Sequence, residues 1–433
     1  MTIRNLKARV LAGDADPAFT DRCGIAPERA ADQRERVLRC IQLYMDKYDP
    51  AGARDGMLFS VGGRSEISGN HTDHNHGRVI AASISLDVLA VAAPRGDGLI
   101  RVQSEGFPED VVPAEAAEAP DETKFFTSAA IIAGMERAFL DNGYAVGGFD
   151  AATTSNVLKG SGLSSSAAFE VMIGNILNHL YNDGKIPGDV IARMAQFAEN
   201  RFFGKPCGLM DQTACAVGGF ITIDFAHPAS PVIEKLNFDL SAAGYALCIT
   251  DTGGNHADLN EDYASVPAEM KSVAAALGVS VLREVTRARV LADLPRLREA
   301  CGDRAVLRAL HFLAENERVA AQVAALRAGD LDGFLDGVLA SGNSSFRYLQ
   351  NVYTTKNVRE QGLSLALCLT EQYLTERGVR AAWRVHGGGF AGTIQAFVPA
   401  AEAPAYAAYM ESVFGAGSVY TLRIRPEGAI RLL

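Results

Sequence analysis

Tryptophan occurs once in this chain, and the seven cysteines contain no C-x-x-C pair. Cys23, Cys40, Cys207, Cys215, Cys248, Cys301 and Cys368 are scattered and odd in number. That pattern argues against a disulfide scaffold, and reduced thiols are expected. No apolar run is long enough to span a bilayer. No block of Lys or Arg occurs and the net charge is -10, which argues against general nucleic-acid binding. Met1-Thr2-Ile3-Arg4-Asn5 carries no apolar signal core, so a cytoplasmic protein is expected. Internal repeats and low-complexity tracts are missing too. What remains is a globular composition, with 48% hydrophobic residues in 433, enough for two or three domains with sizeable cores.

Periodicity predicts helices over 27–48, 129–142, 187–203, 266–277, 294–302, 305–327 and 363–377. Short apolar or alternating runs predict strands over 56–61, 80–90, 219–224, 245–250, 381–385 and 394–398. Gly62-Gly63 reads as a turn closing the first strand. Pro94 to Gly98 reads as the turn of a hairpin, with Leu99 to Ser104 as its return strand. The acidic stretch 107–124 reads as an exposed excursion. Linker composition at His227-Pro228-Ala229-Ser230-Pro231 places a lobe boundary there, giving 1–230 and 231–433. The fold class expected is α+β with two lobes.

The segment Gly160-Ser161-Gly162-Leu163-Ser164-Ser165-Ser166-Ala167-Ala168 stands out. Phe169, Met172, Ile173, Ile176, Leu177 and Leu180 follow it on one helical face. A flexible hydroxyl-rich loop thus opens into a helix N-terminus, where free N–H groups and the helix dipole favour an anion. The Lys of the Walker pattern is absent. A nucleotide phosphate loop and an ordinary Ser-capped helix both fit the segment taken alone.

Three further constellations carry polar chemistry. Gly62 to Gly77 packs Arg64, Asn70, His71, Asp73, His74, Asn75 and His76 between two strands. His and Asp suit zinc, but no helical H-E-x-x-H spacing is present. The same residues suit a polyol, which needs many fixed donors and acceptors. Gly204 to Gln212 places Asp211 in an apolar, small-residue segment, where a carboxylate is paired or its pKa rises. The ordinary reading of Asp211 is a helix cap. His386-Gly387-Gly388-Gly389 is a turn at which backbone comes close to something.

Together these segments resemble the GHMP small-molecule kinases, specifically the galactokinase branch. The family's early G-R-V-N-L-I-G-E-H-T-D-Y motif corresponds to Gly63 through His74, and its G-L-S-S-S-A-A motif is intact at Gly162 to Ala168. Its C-G-I-M-D-Q motif matches Cys207 to Gln212 apart from Leu209, and its G-G-G-F-G-G motif matches Gly387 to Gly392 apart from Ala391. His311, Glu315 and Arg318 match an H-x-x-x-E-x-x-R helix. The motifs keep the family order across most of the chain. The resemblance implies a two-lobed GHMP kinase fold with the site between the lobes. It also implies ATP-dependent phosphorylation of the anomeric hydroxyl of galactose or a galactose-like hexose. Asp211 would be the base and Arg64 its cationic neighbour. Gly160, Gly162, Ser164, Ser165 and Ser166 would hold the nucleotide, and Ser166 and Glu199 would hold magnesium. Asn70, His71, Asp73, Gly208, Tyr263 and Gly388 would hold the sugar. Partners would be sugar and ATP, with no nucleic acid, no membrane and a monomeric chain expected.

The departures fall on the sugar side. The family Glu is Asn70, its following Tyr is His74, and Arg78 replaces an apolar or aromatic residue. Leu158 stands where the family has Pro, and the paired Arg after Tyr263 is missing. A lost negative charge with two potential positive groups nearby would tolerate a carboxylate on the sugar, so galacturonate or another modified hexose is the alternative substrate. A non-catalytic sugar- and ATP-responsive regulator is the alternative of another class.

Overall fold

The computed structural model describes the chain except residues 115–117, 158–161 and 255–258. Among the described residues, twelve strands form two sheets. The larger sheet contains β1 (Met57–Ser68), β2 (Arg78–Pro94), β3 (Leu99–Ser104), β4 (Asp110–Pro113), β5 (Phe149–Ser155), β6 (Phe220–Asp224), β7 (Val232–Leu236) and β12 (Ile430–Arg431). The smaller, antiparallel sheet has the order β11-β8-β10-β9, with β8 at Tyr245–Asp251, β9 at Ala382–Val385, β10 at Thr393–Pro399 and β11 at Val419–Leu422.

β1 and β2 organise the larger sheet. Helices Ser165–Tyr181 and Met210–Val217 pack on both of these strands. Ile3–Leu11 and Ala30–Tyr48 enclose a second apolar cluster with Leu58, Leu89 and Val91. Both faces are therefore covered, and β1 is buried along nearly its whole length. That burial explains why its sequence does not alternate.

Two expectations fail here, for physical reasons. Gly62-Gly63 is not a turn: β1 runs on to Ser68 with bulges after Gly62 and Glu66. A Cβ on Gly62 would sit 2.6 Å from Ser83 Oγ and 2.7 Å from Arg425 Cδ, and one on Gly63 would sit 2.7 Å from the Leu163 carbonyl. These glycines admit close neighbours rather than reversing the chain. Likewise β2 and β3 are not a hairpin. β3 pairs in parallel with β5 and antiparallel with β4, while the end of β2 pairs with β5. The excursion 107–124 thus contains a sheet strand, β4.

The chain's last residues return to the first sheet. β12 pairs with β1, and Arg425, fully buried, donates to Ser60 Oγ at 2.7 Å and to the Ser60 carbonyl at 3.1 Å. β7 also lies beyond residue 230 and pairs with β6. No helix among the described residues is long and apolar enough to cross a membrane.

Candidate active site

Three segments far apart in sequence meet at one place. Arg64, on β1, donates through Nε and Nη2 to the two carboxylate oxygens of Asp211, both at 2.7 Å. A planar guanidinium matched to a carboxylate in this way fixes both groups in orientation. The third nitrogen, Nη1, donates to the carbonyl of Gly162. Ser164 donates its hydroxyl to Asp211 as well. One arginine therefore ties β1, the Gly162–Ala168 segment and the helix Met210–Val217 together.

Asp211 sits in the first turn of its helix, yet it is turned to Arg64. Its side chain stays about one-third exposed. Burial pushes the carboxyl up, but the Arg64 guanidinium and the Ser164 hydroxyl outweigh it and hold Asp211 below its ordinary value. Asp211 is ionised at neutral pH and open on one side.

The helix Ser165–Tyr181 starts in an unusual way. Ser164 holds a left-handed backbone (φ 60°) and makes no side-chain cap. Its hydroxyl goes to Asp211 instead, so it does not satisfy the first N–H groups of the helix. A strained non-glycine residue beside an uncapped helix start is the arrangement an anionic ligand completes. Ser165 and Ser166 occupy the first turn, half-buried. Gly162 also has a left-handed φ, and a Cβ there would lie 3.4 Å from His386 Nδ1. Gly160 lies outside the described residues.

Glu199 lies on the π-helical turn Ala198–Phe203. Its Oε1 accepts from Lys205 at 2.9 Å and its Oε2 from Gln212 at 2.7 Å. The same Gln212 nitrogen donates to Glu170 at 3.0 Å. Glu170 is fully buried and its Oε1 has no partner among the described residues. Burial, then the nearby Glu199 charge, raises the Glu170 carboxyl well above its ordinary value. Among the described residues no group of three or more His, Cys, Asp or Glu could cage a metal. Ser166 and Glu199 nevertheless supply the hard oxygen donors magnesium uses when phosphates complete its shell. The residues present fit that ion, held against a nucleotide and not in an all-protein site. Zinc ligation by His71, Asp73, His74 and His76 has no such support.

The sugar-motif residues divide into two groups. His71, left-handed at φ 57°, bonds the Gly388 carbonyl through Nε2 at 2.9 Å. Tyr263 donates to the Gly389 carbonyl at 2.8 Å, and a Cβ on Gly388 would strike its ring at 2.7 Å. A Cβ on Gly208 would lie 2.5 Å from Asp73 Oδ2. His71, Asp73, Gly208, Tyr263 and Gly388 thus converge, and the charge of Asp211 is felt at Asp73.

Asn70 is different. It is fully buried, and its amide is held at both ends. Nδ2 donates to Glu66 at 2.9 Å and to the Gly387 carbonyl at 2.6 Å, while Oδ1 accepts from Asn351 at 2.7 Å. Asn70 braces the loops behind the convergence point. Sequence reasoning missed Glu66, Asn351 and Arg384 in this role; Asn351 lies in no motif and left no signal.

The positive pocket imagined around Asn70, His74 and Arg78 does not form. Arg78 donates to Asp224 at 2.7 Å, and Arg283 shares the same carboxylate at 2.9 Å. Burial lowers His74 to about 3, so it is neutral. Neither His74 nor Arg78 is left as a cation for a sugar carboxylate, and the galacturonate reading loses its basis.

Comparison with known proteins gives the family. Residues 128–219 match the GHMP kinases N terminal domain, and residues 42–94 match the galactokinase galactose-binding signature. The galactokinase of Streptomyces coelicolor is 33% identical over 379 residues, covering 86% of this chain and 92% of that protein. The Homo sapiens galactokinase is 31% identical over 388 residues, covering 87% and 93%. The structure of Lactococcus lactis galactokinase complexed with galactose aligns with a TM-score of 0.74 at 24% identity, covering 90% of this chain and 98% of that one. A mevalonate kinase shares the fold at 11% identity with a TM-score of 0.60, over 86% of this chain and 100% of its own. The order of motifs, the bidentate pair between distant segments and these likenesses converge: the chain belongs to the galactokinase family of GHMP kinases.

Proposed function

We propose that this protein transfers the terminal phosphoryl group of ATP to the anomeric hydroxyl of galactose. The observation that carries the reading is the Arg64–Asp211 pair, placed against the Ser164 turn at an uncapped helix start. Phosphoryl transfer asks a protein mainly for positioning and charge neutralisation. Asp211, ionised and partly exposed, accepts the hydrogen bond or proton of the attacking hydroxyl. Arg64 keeps that carboxylate ionised and oriented, and it meets charge that develops on the transferred group. Gly162, Ser164, Ser165 and Ser166, with Gly160, line the phosphates. Ser166 and Glu199 would hold magnesium, which neutralises phosphate charge when bound. Lys205 and Gln212 each hold one oxygen of Glu199. His71, Asp73, Gly208, Tyr263 and Gly388 hold the sugar, with Asn70 bracing them from behind. Residues 1–230 are read as the N-terminal lobe and 231–433 as the C-terminal lobe, with β7 and β12 returning to the first sheet.

The test is ADP release with ATP, magnesium and a panel of hexoses and hexuronates. Galactose is expected to be turned over and galacturonate not. Binding of ATP and sugar without turnover on any member of the panel would instead mark a regulator, a reading the curated relatives do not favour.

A further inference from the structure

Ser166 and Glu170 stand four residues apart on the helix Ser165–Tyr181, so they share one face of it. Glu170 is fully buried and touches no substrate. Val171, Met172 and Ile173, which follow it, are fully buried and apolar. An apolar side chain would fill the same volume without the cost of burying a carboxyl. Packing therefore does not account for Glu170.

What Glu170 does touch is Gln212, the residue after Asp211. Gln212 Nε2 donates to Glu170 Oε2 at 3.0 Å and to Glu199 Oε2 at 2.7 Å. An amide nitrogen has two hydrogens, and these carboxyl oxygens take both. The Cys207 sulfur, 3.5 Å from the same nitrogen, is a weaker neighbour. At the other end of the amide, Gln212 Oε1 is buried and has no partner among the described residues. The amide is therefore oriented from its nitrogen side alone. Without Glu170 it is free to turn over and present its oxygen to Glu199, where two acceptors repel. Lys205, the other partner of Glu199, is about half exposed on a flexible stem, whereas Gln212 is fully buried. Of the two contacts on Glu199, the one from Gln212 is the fixed one.

We infer that Glu170 is a positioning residue: through the Gln212 amide it fixes the orientation of Glu199. The inference rests on the reading of Glu199 as a magnesium ligand. A group that holds a metal's ligand from outside the metal's own shell changes metal affinity about 10–100-fold when it is removed. The same contact ties together the helix Ser165–Tyr181, the turn Ala198–Phe203 and the helix Met210–Val217, which carry Ser166, Glu199 and Asp211.

The test compares ADP alone with ADP carrying Mn2+, an ion with the same preference for hard oxygen ligands as magnesium. Both are bound to the full-length protein, so the result is read without turnover. Calorimetry gives the Kd of ADP, and water-proton relaxation gives the Kd of Mn–ADP. Glu170→Met is expected to weaken Mn–ADP about tenfold and to leave ADP unchanged. Glu170→Gln keeps a carbonyl acceptor for Gln212 and is expected to bind both like the parent protein. Glu199→Ala, the reference, should also lose affinity for Mn–ADP selectively. Unchanged Mn–ADP binding in Glu170→Met, with Glu199→Ala weakened, overturns the role of Glu170 alone. Equal loss of both ligands in Glu170→Met overturns it too, because a packing defect moves both. A Glu170→Gln protein as weak as Glu170→Met has the same consequence. Mn–ADP binding indifferent to Glu199→Ala would instead overturn Glu199 as a metal ligand, and this inference with it. If Glu170→Met does not fold, Gln212→Met reads the same contact from its other end, with the same outcomes.

Discussion

Two charged clusters start from neighbouring positions of β1, Arg64 and Glu66, and they are built differently. The Arg64–Asp211–Ser164 cluster is held on one side and open on the other, with Asp211 about one-third exposed. The cluster of Glu66, Asn70, His311, Glu315 and Arg384 is closed, each member less than a tenth exposed. In it His311 donates through Nε2 to the Asn70 carbonyl at 3.0 Å, and Glu315 accepts from the Gly69 N–H at 3.1 Å and from Arg318. Burial lowers His311 to about 4 and pushes Glu315 up, but His311, Arg318 and Arg384 outweigh the latter and bring Glu315 to about 2. Family motifs run through both clusters. A motif residue can therefore act on a ligand or hold the residue that does.

The largest expected effect breaks the open cluster. Asp211→Asn removes the acceptor and should lower kcat by about 10³-fold, within the range general base catalysis supplies. ATP binding by calorimetry should be largely kept. Turnover within a few-fold of the parent protein would overturn the role given to Asp211.

Breaking the closed cluster should do the reverse. Glu315→Gln leaves Arg318 and Arg384 facing a neutral group, and should cost about 3 kcal/mol of stability. The folded fraction should keep kcat within a few-fold. A denaturant melt paired with single-turnover kinetics separates the two outcomes. A large kcat loss at unchanged stability would make Glu315 part of the chemistry.

A third site asks whether burial or partnership sets the cost. Glu136, on the helix Ser128–Asp141, is fully buried and neither carboxyl oxygen has a partner among the described residues. Burial raises it from 4.5 to about 8. The folded chain keeps this proton between those values while the unfolded chain loses it. Its contribution to stability is thus full below about pH 4.5 and is lost as pH rises through about 8. Glu136→Gln stays neutral throughout, so its advantage over the parent should grow from pH 5 to pH 8.5, by about 2–4 kcal/mol. Urea melts at the two pH values measure this, and an equal gap at both would show that Glu136 is not titrating.

The smallest effect concerns Arg78. Because Asp224 engages it, Arg78→Ala should leave the KM for galactose unchanged. A clear rise in that KM would restore Arg78 to the sugar side.

Much of this was legible in the linear order of residues, because some signals are local. The helix after the serines, the strand Tyr245–Asp251 and the long helix ending at Ala328 announce themselves by apolar spacing. β5 does not: Phe149-Asp150-Ala151-Ala152-Thr153-Thr154-Ser155 has few large apolar residues, and it is a strand because β2 and β3 flank it. The helix Leu331–Ser344 was missed because Gly333, Gly337 and Gly342 lower its propensity. Packing explains it, since a Cβ on Gly337 would strike Gln322 at 2.3 Å and one on Gly342 would meet Arg384 at 2.9 Å.

Residue types and their order determined the chemistry available here: an Arg and an Asp, a serine-rich helix start, and glycine turns that let backbone approach. Tertiary structure decided which of those groups face a ligand. Asn70, His74 and Arg78 look alike along the chain as polar residues of one motif. Only the fold buries the first, neutralises the second and gives the third to Asp224, because desolvation and pairing depend on neighbours brought in from hundreds of residues away.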